Sequence, residues 1–251
     1  MDVSGISYVS VCEGVDVARL ENKSIPLIIT VAKVWLKNKN LKIVSTEREK
    51  FNEKGWVKAE NTLSFARASS SDISINANFF VYRCSFLDKF YKPLGLFVCD
   101  SKLLSPPLKD FSMLVFDNNN NARIVQGEDV QDGVVWGIAG YNKVIEGGKI
   151  ILEGKSKKRD SRTLIGLDKE GEYLFVLCVD GEVKRRSRGT TLIEATHIFR
   201  KLGVFEGIEL DGGASSALVV KIDGKEHQLV PSSRRQLRRL AINIGFIINK
   251  R

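Results

Sequence analysis

What most constrains this chain is a long succession of short apolar runs, each stopped by a turn of Gly, Asn, Asp or Pro. IPLIITVAKVWL (25–36) and LKIVST (41–46) flank a Lys-Asn-Lys-Asn turn and read as a hairpin. DISIN (72–76) is a short strand that ends on Asn76, and LGLFVCD (94–100) is another. The prolines of SKLLSPP (101–107) stop any regular element after it, because Pro removes a backbone donor. FSMLVFD (111–117) and ARIVQ (122–126) enclose a polar turn at 118–121. SRTLIGLD (161–168) and YLFVLCVD (173–180) form two strands joined through Lys169-Glu170-Gly171. GIELD (207–211), ALVVKID (217–223) and AINIGFII (241–248) close the pattern.

One segment switches to helical spacing. In TTLIEATHIFRKLG (190–203), Leu192, Ala195, Phe199 and Leu202 recur at three- and four-residue intervals. Thr191 and Glu194 fit a capping box, which also accounts for Glu194 without catalysis, and Gly203 fits a C-terminal cap. A second, weaker helix is predicted over 60–68. The expected class is therefore α+β: a strand-rich mixed sheet flanked by a few helices. At 251 residues, one domain over 1–251 is the expectation.

Composition bears mainly on partners and compartment. The formal net charge is +9 with a pI near 9.4, which suits an anionic partner: a phosphate ester, a nucleic acid or an acidic polymer. No apolar run approaches the roughly 18 residues of a membrane-spanning helix. The N-terminus lacks the basic and apolar segments of a signal peptide, so a cytoplasmic or, for a viral chain, virion-associated or host-cytoplasmic setting is expected. Cys12, Cys84, Cys99 and Cys178 form no CxxC pair and have no zinc-ligand spacing with His197 or His227. Buried thiols in a reducing compartment are expected, with no metal and no cofactor.

Five segments carry candidate chemistry. In SINANFF (74–80), Asn76 and Asn78 sit where a strand meets a turn and could orient a ligand hydroxyl or only shape the turn. In Ser161-Arg162-Thr163, the arginine fork suits two phosphate oxygens and the neighbouring hydroxyl a third contact; a surface pair with Asp160 or Asp168 is the alternative. Asp180 ends an apolar strand before Gly181, as a hairpin turn or as a carboxylate at the sheet rim. In IELDGGASS (208–216), strand alternation sends Glu209 and Asp211 to one face, about 7 Å apart by strand rise. Gly212 and Gly213 let backbone approach a ligand, and Ser215 and Ser216 add donors. Finally SSRRQLRR (232–239) ends on Arg239, which abuts the last strand.

These segments, in this order, resemble the phosphodiester glycosidase family. The family pattern runs N-G-G-F-F, a glycine-bounded strand with S-P-P, R-T-x-I-G, D-G, S-x-G-x-T-x-x-E, N-L-D-G-G-G-S-S and a late arginine before a final strand. This chain has INANFF, LGLFVCDSKLLSPP, SRTLIG, VDG, SRGTTLIE (187–194), IELDGGASS and RLAINIGFI, spread over about residues 7–248. It departs from the pattern at Ala77 and Asn78, which replace two glycines, at Glu209, which replaces Asn, and at Ala214, which replaces the third glycine. Its start also departs from the exported members, which points to an intracellular, bacterial or phage-type setting.

The resemblance implies hydrolysis at the anomeric carbon of a sugar-1-phosphodiester. Asp211 is then the principal carboxylate, as base for water or as nucleophile, with Asp180 or Glu209 as the second acid. Arg162 and Arg239 are expected on the phosphate, supported by Thr163, Ser215 and Ser216, while Asn76 orients a sugar hydroxyl. Two rivals share the charge: a nucleic-acid-binding protein using the clusters at 155–159, 184–188 and 234–239, and a glycosidase acting on a nucleotide-linked, nucleic-acid-linked or cell-wall phosphate-linked sugar.

Overall fold

The structure is a computed structural model that describes residues 5–82, 89–130, 132–152, 157–181, 185–231 and 237–249. Its frame is an eight-stranded sheet ordered Val9–Cys12, Val15–Asn22, Leu27–Trp35, Tyr173–Asp180, Arg162–Leu167, Glu206–Leu210, Lys143–Glu146 and Lys149–Ile150. A five-stranded sheet runs Lys225–Val230, Leu218–Ile222, Ile73–Asn76, Asn243–Ile248 and Leu41–Ser45. A second five-stranded sheet runs Lys102–Ser105, Phe97–Cys99, Trp136–Gly140, Ser112–Phe116 and Ala122–Gln126. Val57–Lys58, Phe90–Pro93 and Phe80–Tyr82 form a small three-stranded sheet. Strand-rich α+β is the right class, but every described strand pair is antiparallel, so the sheets are not mixed. Only two α-helices are present among the described residues, too few to supply βαβ crossovers.

The strand alternation explains why the central runs read as continuously apolar. Leu164, Leu177, Val179, Ile29 and Val31 face a cluster capped by Ala195, Ile198 and Phe199 of the helix Leu192–Lys201. Ile165, Val176, Cys178, Ile208 and Leu210 face the opposite way, into a core shared with Ile73, Ile75 and Ile244 of one five-stranded sheet and with Phe97, Leu114 and Phe116 of the other. Both faces of the large sheet are thus covered, so both sets of alternate positions are mainly apolar along the strand centres. The helix begins as expected: Thr191 Oγ1 accepts from the Glu194 N–H at 3.2 Å, and Glu194 Oε2 accepts from the Thr191 N–H at 2.9 Å. The weaker helix is Thr62–Ser69, capped by Asn61, whose side chain accepts from the Ser64 N–H at 2.8 Å.

One expected pairing fails. Leu27–Trp35 and Leu41–Ser45 do not form a hairpin, because the first lies between Val15–Asn22 and Tyr173–Asp180 and the second pairs with Asn243–Ile248 in another sheet. Asn38 turns the chain between sheets: it accepts from the Asn40 N–H at 2.9 Å and donates to the Glu13 carbonyl at 3.0 Å. The other hairpins read from the sequence, 111–126 and 161–180, are present in register. Asp180-Gly181 is not a hairpin turn, since the strand it ends pairs with Leu27–Trp35 and Arg162–Leu167.

No helix among the described residues is long and apolar enough to cross a membrane. Cys99 and Cys178 are buried, and burial pushes the Cys178 thiol up to about 12, where it is inert as a nucleophile. Cys12 is half-buried, and Cys84 lies outside the described residues.

Candidate active site

The ends of two sheets meet at Asn76. This side chain is 1% exposed and uses both ends of its amide. Its Oδ1 accepts from Thr163 Oγ1 at 3.0 Å and from the Ala217 N–H at 3.0 Å, and its Nδ2 donates to the Asp211 carbonyl at 2.6 Å. Three segments distant in sequence are thereby locked at one point. The Asp211 N–H in turn donates to the Ala77 carbonyl at 3.1 Å. Asn76 and Thr163 are therefore positioning residues whose polar groups are bonded within the protein, where the sequence reading expected ligand contacts. Asn78 is likewise internal: it donates to the Leu94 and Leu96 carbonyls at 3.0 and 2.9 Å and accepts from the Ala139 N–H at 3.3 Å.

Beyond this staple the chain turns at Asp211-Gly212-Gly213. The turn packs on the start of the neighbouring strand: the Gly213 N–H donates to the Ser161 carbonyl at 2.9 Å. Gly213 has φ +58°, and a Cβ on Gly212 would come within 3.0 Å of the Ser161 carbonyl oxygen, so both positions favour glycine. Asp180-Gly181 approaches the same segment from the other side, where a Cβ on Gly181 would lie 2.5 Å from the Ser161 nitrogen. The two Asp-Gly motifs thus converge on residues 160–162. Asp180 itself is 2% exposed, so it is not a carboxylate offered at the sheet rim.

Asp211 is the partly exposed acid of this cluster. Burial raises its pKa from 3.8 to about 6, while the Ser215 hydroxyl, the Arg238 cation and the Gly212 N–H pull it back and Glu209 pushes it up. A carboxyl group titrating there is poised for proton transfer near neutrality. Arg238 is half-buried and lies over the rings of Phe80 and Tyr82, 5.2 and 5.5 Å from their centroids. Among the described residues no carboxylate comes within 4.0 Å of it. Arg239, the arginine expected on the phosphate, is exposed. The segment between buried Leu237 and Leu240 turns Arg238 toward the site instead, a one-position difference that the sequence did not reveal. Residues 232–236, including the other two arginines of this cluster, lie outside the described residues.

Glu209 lies two residues back on the same strand face, opposite Leu164 in register. It is buried and gripped at both oxygens, by Arg162 Nη1 at 3.0 Å and by Asn142 Nδ2 at 2.6 Å. Its pKa is raised because burial outweighs the opposing pull of Asn142 and Arg162. Arg162 also donates from Nε to the Thr190 carbonyl at 3.4 Å and from Nη2 to the Lys158 carbonyl at 3.1 Å. Glu209 and Arg162 thus hold each other beside Asp211, and neither is the free acid or free fork that the sequence reading assigned. Asn142 gave no signal in the sequence, because only the tertiary fold brings its loop to the Glu206–Leu210 strand.

The hydroxyls of Ser161, Thr190 and Ser216 are each at most 2% exposed and have no hydrogen-bond partner among the described residues. Unpartnered buried hydroxyls are uncommon; Ser161 and Ser216 flank the Asp211 turn in sequence and packing, and Thr190 lies in the segment paired with Asp160. Among the described residues no group of three or more His, Cys, Asp or Glu is placed to hold a metal ion.

Antiparallel sheets thus deliver an acid, a glycine pair and an arginine to one turn. The family model for phosphodiester glycosidases matches residues 71–247, and the chain belongs to that family. Its fold is shared with the catalytic domain of zebrafish N-acetylglucosamine-1-phosphodiester alpha-N-acetylglucosaminidase, auto-inhibited by its pro-peptide, at 18% identity and a TM-score of 0.68 over 94% of this chain and 82% of that one. A Synechocystis protein is similar at 14% identity and a TM-score of 0.65, covering 99% of this chain and 64% of its own. A Burkholderia pseudomallei protein is similar at 13% identity and a TM-score of 0.63, covering 88% of this chain and 74% of its own. At these identities the likeness is one of fold. No curated protein matches the chain in sequence.

Proposed function

We propose that this protein hydrolyses the glycosidic bond of a sugar-1-phosphodiester, releasing the free sugar and a phosphomonoester. The observation that carries the reading is Asp211, a partly exposed carboxyl with a pKa near 6 beside Arg238, in a family named for this bond. The name of the zebrafish protein describes a sugar-1-phosphodiester.

Arg238 binds the phosphate of the scissile group and offsets the charge that builds on its bridging oxygen. Above pH 6 Asp211 is ionised and takes a proton from a water molecule as that water's oxygen bonds to the anomeric carbon. The bond from that carbon to the phosphate oxygen breaks, and its electron pair leaves on the phosphomonoester. A phosphate is already stable as an anion, so protonation of the leaving group contributes less than in an ordinary glycoside. Glu209, Arg162, Asn142, Asn76 and Thr163 act by holding the turn, with Glu209 and Asp180 buried beside it.

The test is a panel of sugar-1-phosphodiesters and nucleotide sugars, with free sugar and phosphomonoester measured together. Equimolar release by the wild type and none by Asp211→Asn is expected. Turnover of Asp211→Asn close to that of the wild type would remove Asp211 from the mechanism.

A further inference from the structure

Three arginines meet in a cavity the proposed reaction does not use. Arg159, Arg185 and Arg188, with Pro26, line an open space of about 590 Å³. Arg159 and the Arg185–Arg188 segment, which belong to two of the basic clusters read from the sequence, face one another here. Arg159 is held by Glu194 at 2.6 Å and by the Gly189 carbonyl at 3.0 Å. Arg185 and Arg188 are exposed, and among the described residues neither has a carboxylate within 4.0 Å. Like charges facing one space repel, and a bound anion is what relieves the repulsion.

The backbone on either side of Arg188 is tied down. The Arg188 N–H donates to the Pro26 carbonyl at 2.8 Å. Next to it the Ser187 hydroxyl accepts from the Ile28 N–H at 3.0 Å and donates to the Asp180 carbonyl. Thr190 and Asp160 exchange two backbone bonds of 3.0 Å each, which ties this loop to the segment carrying Arg159, just before the strand Arg162–Leu167. Arg159 also lines an adjoining cavity of about 250 Å³ with Lys201, His197 and Thr190. The Arg159 guanidinium, held by Glu194 and the Gly189 carbonyl, binds phosphate oxygens with less ordering cost than a free side chain.

The cavity is near the site. Arg159 and Arg162 are three residues apart, so their Cα atoms lie within about 11 Å. Asp160 borders both places: its Oδ1 is 3.5 Å from where a Gly213 Cβ would stand, and its carbonyl occupies the space a Gly189 Cβ would need.

We infer that the arginine cavity is a second anion site, which holds a phosphate of the acceptor other than the one bonded to the sugar. The anion site stands on the arginines alone; its assignment to the acceptor rests on the glycosidase reading. The preferred substrate then carries its sugar on an acceptor with at least one further phosphate, whether the acceptor is a nucleotide or a polyol phosphate.

Two measurements test this. Calorimetric titration with pyrophosphate is expected to show binding that weakens at least tenfold in Arg185→Ala/Arg188→Ala and recovers in part in Arg185→Lys/Arg188→Lys, with all three proteins melting alike. Equal pyrophosphate binding by the wild type and the double-alanine variant overturns the anion site. In the second, sugar release is compared for acceptors with one phosphate and with two, on a glycerol and on a nucleoside skeleton. A lower KM for a two-phosphate acceptor, at least fivefold and lost in the double-alanine variant, supports the assignment on whichever skeleton shows it. No such preference on either skeleton overturns the assignment. Absence of all sugar release by the wild type counts against the glycosidase reading, while the titration still decides the anion site.

Discussion

Replacing Asp211 by Asn removes a charge that the fold holds at a cost. The folded protein raises this carboxyl from 3.8 to about 6, chiefly by burial. At about 1.4 kcal/mol per tenfold change in proton affinity, that corresponds to about 3 kcal/mol between the protonated and ionised forms. Because the folded pKa lies above the unfolded one, the stabilisation is complete below about pH 3.8 and is lost as pH rises through about 6. Asn does not titrate, so the stability of Asp211→Asn relative to the wild type should rise by about 2–3 kcal/mol between pH 4 and pH 8. For a chain of this size that is a relative gain of about 4–12 °C in Tm. Urea denaturation of both proteins at the two pH values measures it, and sugar release measured in parallel should be abolished. A stability difference that is the same at both pH values would refute the reasoning, whatever the activity.

Arg238 and Arg239 separate cleanly. Arg238→Ala should raise KM about tenfold or more and, by removing a cation that stabilises the ionised form, move the acid limb of the pH–rate profile above 6; Arg239→Ala should change neither beyond about twofold, as steady-state kinetics across pH would show. Glu209→Gln should destabilise the fold by about 3 kcal/mol by leaving the mostly buried Arg162 without its counter-charge, and a double-mutant cycle with Arg162→Ala should show strong coupling in urea denaturation. Asn76→Ala should cost about 2–4 kcal/mol, because it strands the Thr163 hydroxyl, the Ala217 N–H and the Asp211 carbonyl together; circular dichroism melts would read this.

The sequence by itself determined the local elements and the segments that matter. Runs such as 161–168 and 173–180 read as strands joined by a turn, and the Thr191–Glu194 box reads as a helix start, because these signals reside in neighbouring residues. It also placed Asp211 and its glycines at a strand exit, where they are found. Which strands pair across long separations was decided elsewhere: Leu41–Ser45 joins Asn243–Ile248 and not its neighbour, since sheet partners are chosen by the packing of whole faces. The same holds for side-chain roles. Whether Arg162 is free or clamped depends on Glu209 and on Asn142 from another loop, and whether Arg238 or Arg239 acts electrostatically on Asp211 depends on how Leu237 and Leu240 bury. A motif fixes which groups are available; only the tertiary structure fixes which of them are already satisfied by the protein and which are left for a ligand.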